Sequence, residues 1–226
     1  MESLPILRPI APKRTALARG FTLVEMVVVL AIIIVITGVV INGQSTYNES
    51  LILTDTAYTV AFSVRQAQSL GLASRATNVG STIVSNAGYG VRFAGATGYT
   101  VFADTGGPTS LGTSVCPTGA GGTPEESKPG NCKYDPGTDR IVSTNTFSRQ
   151  FTIGTLCGKV SGGATCTPVT SIDAVFMRPE TRAILTGPAG QVYSCIEVHV
   201  KAPTGNATRV VRVSQLGEIS VGQSCP

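Results

Sequence analysis

The stretch that most limits what this chain can fold into is residues 21–41, FTLVEMVVVLAIIIVITGVVI, which carries one charge, Glu25. As an α-helix rising about 1.5 Å per residue, it would span roughly 30 Å, the thickness of a bilayer's hydrocarbon core. A carboxylate in such a setting is costly and normally has a partner. A secretory signal peptide would have a shorter apolar region, with its small-residue cleavage site after the run. Here the small residue, Gly20, stands before the run. A cut there leaves the apolar helix on the mature chain.

Residues 1–20 read as a polar leader. Arg8, Lys13, Arg14 and Arg19 face only Glu2, and three prolines interrupt the segment. Basic residues on this side place the N-terminus in the cytoplasm and the C-terminal domain outside it. Most of the chain's net charge of +4 lies in this leader, so the basic balance is poor ground for nucleic-acid binding by the body.

Residues 42–75 change pattern. Leu53, Ala57, Val60, Val64 and Ala67 step by four, three, four and three, which is one face of a helix. The spacing predicts an amphipathic continuation of the apolar helix, its stripe turned toward the following domain. Residues 76–226 are rich in Gly, Thr and Val with frequent turn residues. From about Ser81, short strand-like pieces follow one another: STIVSN, GYGVRFAG, YTVFAD, RIVSTNTF, FTIGTL, SIDAVFMR, AILTG, VYSCIEVHV, ATRVVRVS and GEISVG. The expected class is α+β, a long N-terminal helix packed on an antiparallel β-sheet or sandwich. Residues 105–139, crowded with Gly and Pro, read as a long loop.

All six cysteines, Cys116, Cys132, Cys157, Cys166, Cys195 and Cys225, follow the apolar run. An even number beyond a membrane span points to disulfides. Fifteen pairings are open; proximity along the chain favours Cys116–Cys132, Cys157–Cys166 and Cys195–Cys225. No CxxC occurs and His199 is the single histidine, which argues against zinc and against a metal or cofactor generally.

The junction RGFTLVE resembles the type IV pilin and type II secretion pseudopilin signal: a basic leader, Gly20 at the cut, Phe21 next, and Glu25 fifth in the mature chain. FSVRQAQSLGLASR, STIVSN, YGVRF, YTVFAD and RVVRVSQLGEISVG are similar to H-type minor pseudopilins and related minor pilins. The resemblance implies a pilin-like fold, cleavage between Gly20 and Phe21 by a prepilin peptidase, N-methylation of Phe21, and assembly through Glu25. It implies a bacterial inner-membrane protein with one span, passed later into a filament. Its partners would be other pilin or pseudopilin subunits, the peptidase and an inner-membrane assembly platform. The implied role is that of a structural subunit of a secretion pseudopilus. The alternative is a minor pilin of a type IV pilus acting in initiation, adhesion or DNA uptake.

Other classes fare worse. His199 lies in an alternating strand, and no HExxH, GxSxG or phosphate loop is present. Cys–His catalysis would need a reactive thiol beside His199, and these cysteines are better used as bridges; the expectation is no enzyme. Asp135 and Asp139 in DPGTD read as a turn rather than a calcium site. Arg209 and Arg212, three apart on a strand, point to opposite faces and make no phosphate-binding row.

Overall fold

A computed structural model of the chain describes residues 20–73, 76–79, 82–84, 87–106, 116, 130–148, 150–179, 181–204 and 206–226. The expected leader, apart from Gly20, and most of the expected loop 105–139 lie outside the described residues. The fold is α+β. It divides into two units, residues 1–45 and residues 46–226. One helix, α1 (Leu23–Leu72), has residues in both.

In the first unit, Leu23–Ile41 form a helix long and apolar enough to cross a membrane, with a mean hydropathy of 3.0. Its side chains are exposed throughout. Such a segment could serve as a membrane anchor.

The second unit holds thirteen described strands. β1 (Thr77–Val79) and β2 (Thr82–Val84) form a hairpin. The others are β3 (Gly88–Ala94), β4 (Gly98–Asp104), β5 (Arg140–Thr146), β6 (Thr152–Lys159), β7 (Thr167–Val169), β8 (Ser171–Phe176), β9 (Ala183–Thr186), β10 (Val192–Tyr193), β11 (Cys195–Lys201), β12 (Thr208–Ser214) and β13 (Ile219–Val221). They build a six-stranded sheet, β10-β9-β8-β3-β4-β5, and a five-stranded sheet, β13-β12-β11-β6-β7. Every neighbouring pair is antiparallel.

The stripe Leu53, Ala57, Val60, Val64 and Ala67 is fully buried. It shares one core with Val91, Phe93, Val101 and Phe176 of the larger sheet and Ile196, Val198, Val211 and Val213 of the smaller. Small residues at positions 57, 61 and 67 let the strands approach the helix closely. Gly71 does the same at its end, where a Cβ would collide with the Phe176 carbonyl oxygen. Polar contacts fix the register: the Ser63 and Tyr99 hydroxyls are 2.8 Å apart, and Gln68 Nε2 donates to the Gly217 carbonyl at 3.1 Å.

The strand pattern differs from the sequence expectation in three places. VYSCIEVHV is two strands in two sheets: β10 ends the larger sheet, and β11 sits at the centre of the smaller. The break falls at Ser194, whose N–H donates to the Lys159 carbonyl at 2.8 Å while its own carbonyl accepts from Gln215 N–H at 2.7 Å. A continuous apolar alternation conceals such a switch, because each half buries correctly in its own sheet. Strands β1 and β7 are additional, and α1 closes at Leu72, before the expected 75.

Because the helix stripe belongs to the same core as both sheets, Leu53→Ala should destabilise the body by about 2–4 kcal/mol. Phe62→Ala, on the exposed side of the same helix, should change stability by less than about 0.5 kcal/mol. Denaturant unfolding of the two variants tests the contrast.

Candidate processing and assembly segment

Gly20 and Phe21 are exposed and precede the helix, which begins at Leu23. Thr22 caps it: the Glu25 N–H donates to Thr22 Oγ1 at 3.2 Å, and the Met26 N–H donates to the Thr22 carbonyl at 3.2 Å. A helix start leaves orphan N–H groups, and a threonine hydroxyl at the cap satisfies one of them. Thr22 and Glu25 thus stand at the first and last positions of a T-x-x-E capping pattern. In the sequence Thr22 stands out only as part of the FTLVE match; its capping role was signalled by the T-x-x-E pattern just before an apolar run. Glu25 lies in the first turn, where the helix dipole favours a negative charge.

The cysteines form three bridges, Cys116–Cys132, Cys157–Cys166 and Cys195–Cys225, the pairs that proximity along the chain favours. The first brings residues 130–139 to the outer face of the larger sheet, where Cys132 is buried with Phe102, Val175, Met177 and Ile184. The other two lie on the outer face of the smaller sheet, around Glu197.

Two polar clusters in the body were not anticipated. In one, Asp104 is fully buried and accepts the N–H groups of Asn131 at 3.1 Å and Cys132 at 2.7 Å. Gly130, with φ at +105°, lets the backbone pass so close that any Cβ would strike the Asp104 carboxylate. Asp139 accepts the N–H groups of Thr105 at 3.0 Å and Asp135 at 2.7 Å, and Asp139 N–H closes the DPGTD turn on the Asp135 carbonyl at 3.0 Å. Asp135 and Asp139 therefore do serve a turn, and they also approach a third carboxylate far away in sequence. Burial, then the charge of Asp139, pushes the Asp104 carboxyl well up. Burial pushes Asp139 up to about 6 against its backbone donors. Nearby, Asp173 pairs with Arg92 at 2.9 Å; burial outweighs the guanidinium and puts Asp173 at about 6.

The second cluster centres on Glu197, which is buried. Its Oε1 accepts the Cys225 N–H at 2.6 Å, and its Oε2 lies 2.9 Å from His199 Nε2 and 3.6 Å from Cys157 Sγ. His199 is half-buried on the sheet face. Arg209 and Arg212 do point apart: Arg209 Nε donates to Thr54 Oγ1 at 3.3 Å, while Arg212 pairs with Glu218 at 2.5 Å and donates to the Ser224 carbonyl at 3.4 Å.

No protein-family model, curated protein or solved structure matches this chain.

The buried carboxyls give the body a pH dependence of defined sign. Their pKa values are raised on folding, so between about pH 4 and 6 the native state binds more protons than the unfolded chain. Stability contributed by these groups therefore falls as pH rises through this window. The body should melt at a higher temperature at pH 5 than at pH 7. Carbon-13 titration of the aspartate carboxyls should show two of them titrating near pH 6. A steady loss of stability from pH 7 to pH 5 would contradict the assignment.

Proposed function

We propose that this chain is a structural minor pseudopilin, processed between Gly20 and Phe21 and assembled through its N-terminal helix into a secretion pseudopilus with a pilin-like fold. The observation that carries the reading is the start of the helix: a capped first turn with Glu25 four residues after Phe21 in sequence, opening a span with every side chain exposed. The magnitudes favour a partner for Glu25. Glu25 lies in the first turn, short of the centre of the span where a carboxylate costs roughly 3 kcal/mol. Packed among the apolar helices of a filament, however, it would lose both water and headgroups and be a buried charge without a counter-ion. The dipole at a helix start returns only about 0.3–1 kcal/mol. A free amine at Phe21 of a neighbouring subunit would supply the missing counter-charge and fix the stagger between helices.

A second observation supports assembly. Tyr47, Leu51, Tyr58 and Phe62 are all exposed. Their steps of four, seven and four put them on one helical face, the side not used by the core. Neighbouring subunits would cover this face. Cleavage would be the work of a prepilin peptidase, with Phe21 methylated, and extraction from the inner membrane the work of an assembly platform. The alternative role in DNA uptake is the weaker reading, because Arg209 and Arg212 are already engaged within the body.

Mass spectrometry of the protein from its native membrane should give an N-terminus at Phe21, heavier by one methyl group. An intact leader beside an active peptidase would sink the processing assignment. Glu25→Gln and Glu25→Ala separate charge from capping, since glutamine serves the cap position nearly as well as glutamate. Both variants should be cleaved normally and both should be lost from filaments by subunit cross-linking. Normal incorporation of Glu25→Gln would overturn the charge pairing.

A further inference from the structure

Two of the three disulfides meet. Cys166 Sγ, Cys225 Sγ and a Glu197 carboxylate oxygen lie within 4.8 Å of one another, and so do Cys157 Sγ, a ring nitrogen of His199 and a Glu197 carboxylate oxygen. Glu197 joins the two groups. The strands explain the convergence: Cys157 on β6 stands directly opposite Glu197 on β11, and Cys195, Glu197 and His199 alternate along one face of β11. Cys225 lies beyond β13, the last strand, and no ladder pairing fixes its backbone.

We infer that Cys157–Cys166 and Cys195–Cys225 form a single thiol–disulfide exchange centre rather than two independent staples. The first step needs a dithiol reductant. It gives two electrons and two protons to the Cys195–Cys225 bridge, leaving thiols at Cys195 and Cys225 and an oxidised dithiol. The second step needs no further redox partner. Cys225, as thiolate, attacks Cys166 Sγ; the Cys166–Cys225 bond forms, the Cys157–Cys166 bond breaks, and the electron pair leaves on Cys157. The proton lost from Cys225 is balanced by one taken up at Cys157.

The surroundings suit each part of this exchange. The attacking and attacked sulfurs, Cys225 Sγ and Cys166 Sγ, already lie within 4.8 Å of each other, so forming a bond of about 2.05 Å asks for a closure of less than about 3 Å. The leaving sulfur emerges beside His199, whose ring can pass it a proton while Glu197, 2.9 Å from Nε2, holds the ring. Cys–His chemistry thus has the neighbouring thiol that the sequence left in doubt, stored in oxidised form. Cys116 and Cys132, on the other sheet, take no part and serve as an internal control.

Cys195→Ser tests the second step without reductant, because it removes the partner of Cys225 and leaves Cys225 as a thiol. After incubation at mildly alkaline pH, acid quench, alkylation and peptide mapping, a fraction of the chain should carry Cys166–Cys225 with Cys157 alkylated. Finding only Cys157–Cys166 with Cys225 fully alkylated would overturn the inference. Should the variant fail to fold, the wild-type chain in detergent answers the same question. Under limiting dithiothreitol, alkylation should mark Cys195 and Cys157 together; marking of Cys195 and Cys225 alone, with Cys157–Cys166 intact, would reject the exchange. His199→Ala should slow the exchange by about tenfold or more. A purely structural His199 would leave that rate unchanged.

Discussion

The body depends on one packing surface, the stripe of Leu53, Ala57, Val60, Val64 and Ala67, on which residues of both sheets close. Neither sheet buries its apolar face by pairing strands alone; each needs a second layer. The helix supplies that layer to both with a stripe in which Ala57 and Ala67 leave room beside Leu53, Val60 and Val64. Val91, Phe93 and Phe176 of one sheet and Ile196, Val198 and Val213 of the other fill the spaces so left. Hydrogen bonds at Ser63, Gln68 and Thr54 then select one register from those the apolar contacts allow.

The same helix has to be read against more than one solvent. From Leu23 to Ile41 it is apolar on every side, whereas in the body it is apolar on a buried stripe and again along Tyr47, Leu51, Tyr58 and Phe62. An all-round apolar helix suits lipid or a bundle of like helices. A helix with a second exposed apolar line suits contact with neighbours. The one charge that breaks the first pattern sits where a helix best tolerates an anion, in the first turn behind a threonine cap.

Much of this was legible in sequence because it rests on local periodicity. The 4-3-4-3 spacing of the stripe, the length of the apolar run and the alternation of most strands each depend on a few consecutive turns or residues. The switch at Ser194 was not legible, since β10 and β11 read as one alternating strand and differ only in which sheet receives them. The carboxylate cluster was half legible. DPGTD announced a turn, but nothing in the sequence tied Asp139 to Asp104, thirty-five positions away, until β4 and β5 paired and brought the ends of the intervening loop together. Glu197 was hidden for a similar reason: alternation within CIEVHV put it on one face with His199, but its other partners come from β6 and from the tail.

These clusters share a device. On the outer face of the larger sheet, buried Asp104 accepts the backbone N–H of Cys132; on the outer face of the smaller one, buried Glu197 accepts the backbone N–H of Cys225. Each cysteine is in turn bridged, to Cys116 and to Cys195. A disulfide alone fixes a segment at one point and leaves it free to pivot. A charge-assisted bond from the carboxylate to the neighbouring N–H, among the stronger hydrogen bonds available, adds a second point and sets an orientation. Burying a carboxylate is unfavourable, as the raised pKa of Asp104 records. It is tolerated here because the donors it meets are backbone N–H groups that would otherwise be buried without partners. The outer faces of the two sheets are thereby covered by segments with no strand pairing of their own, and the sheet interiors are left to the helix.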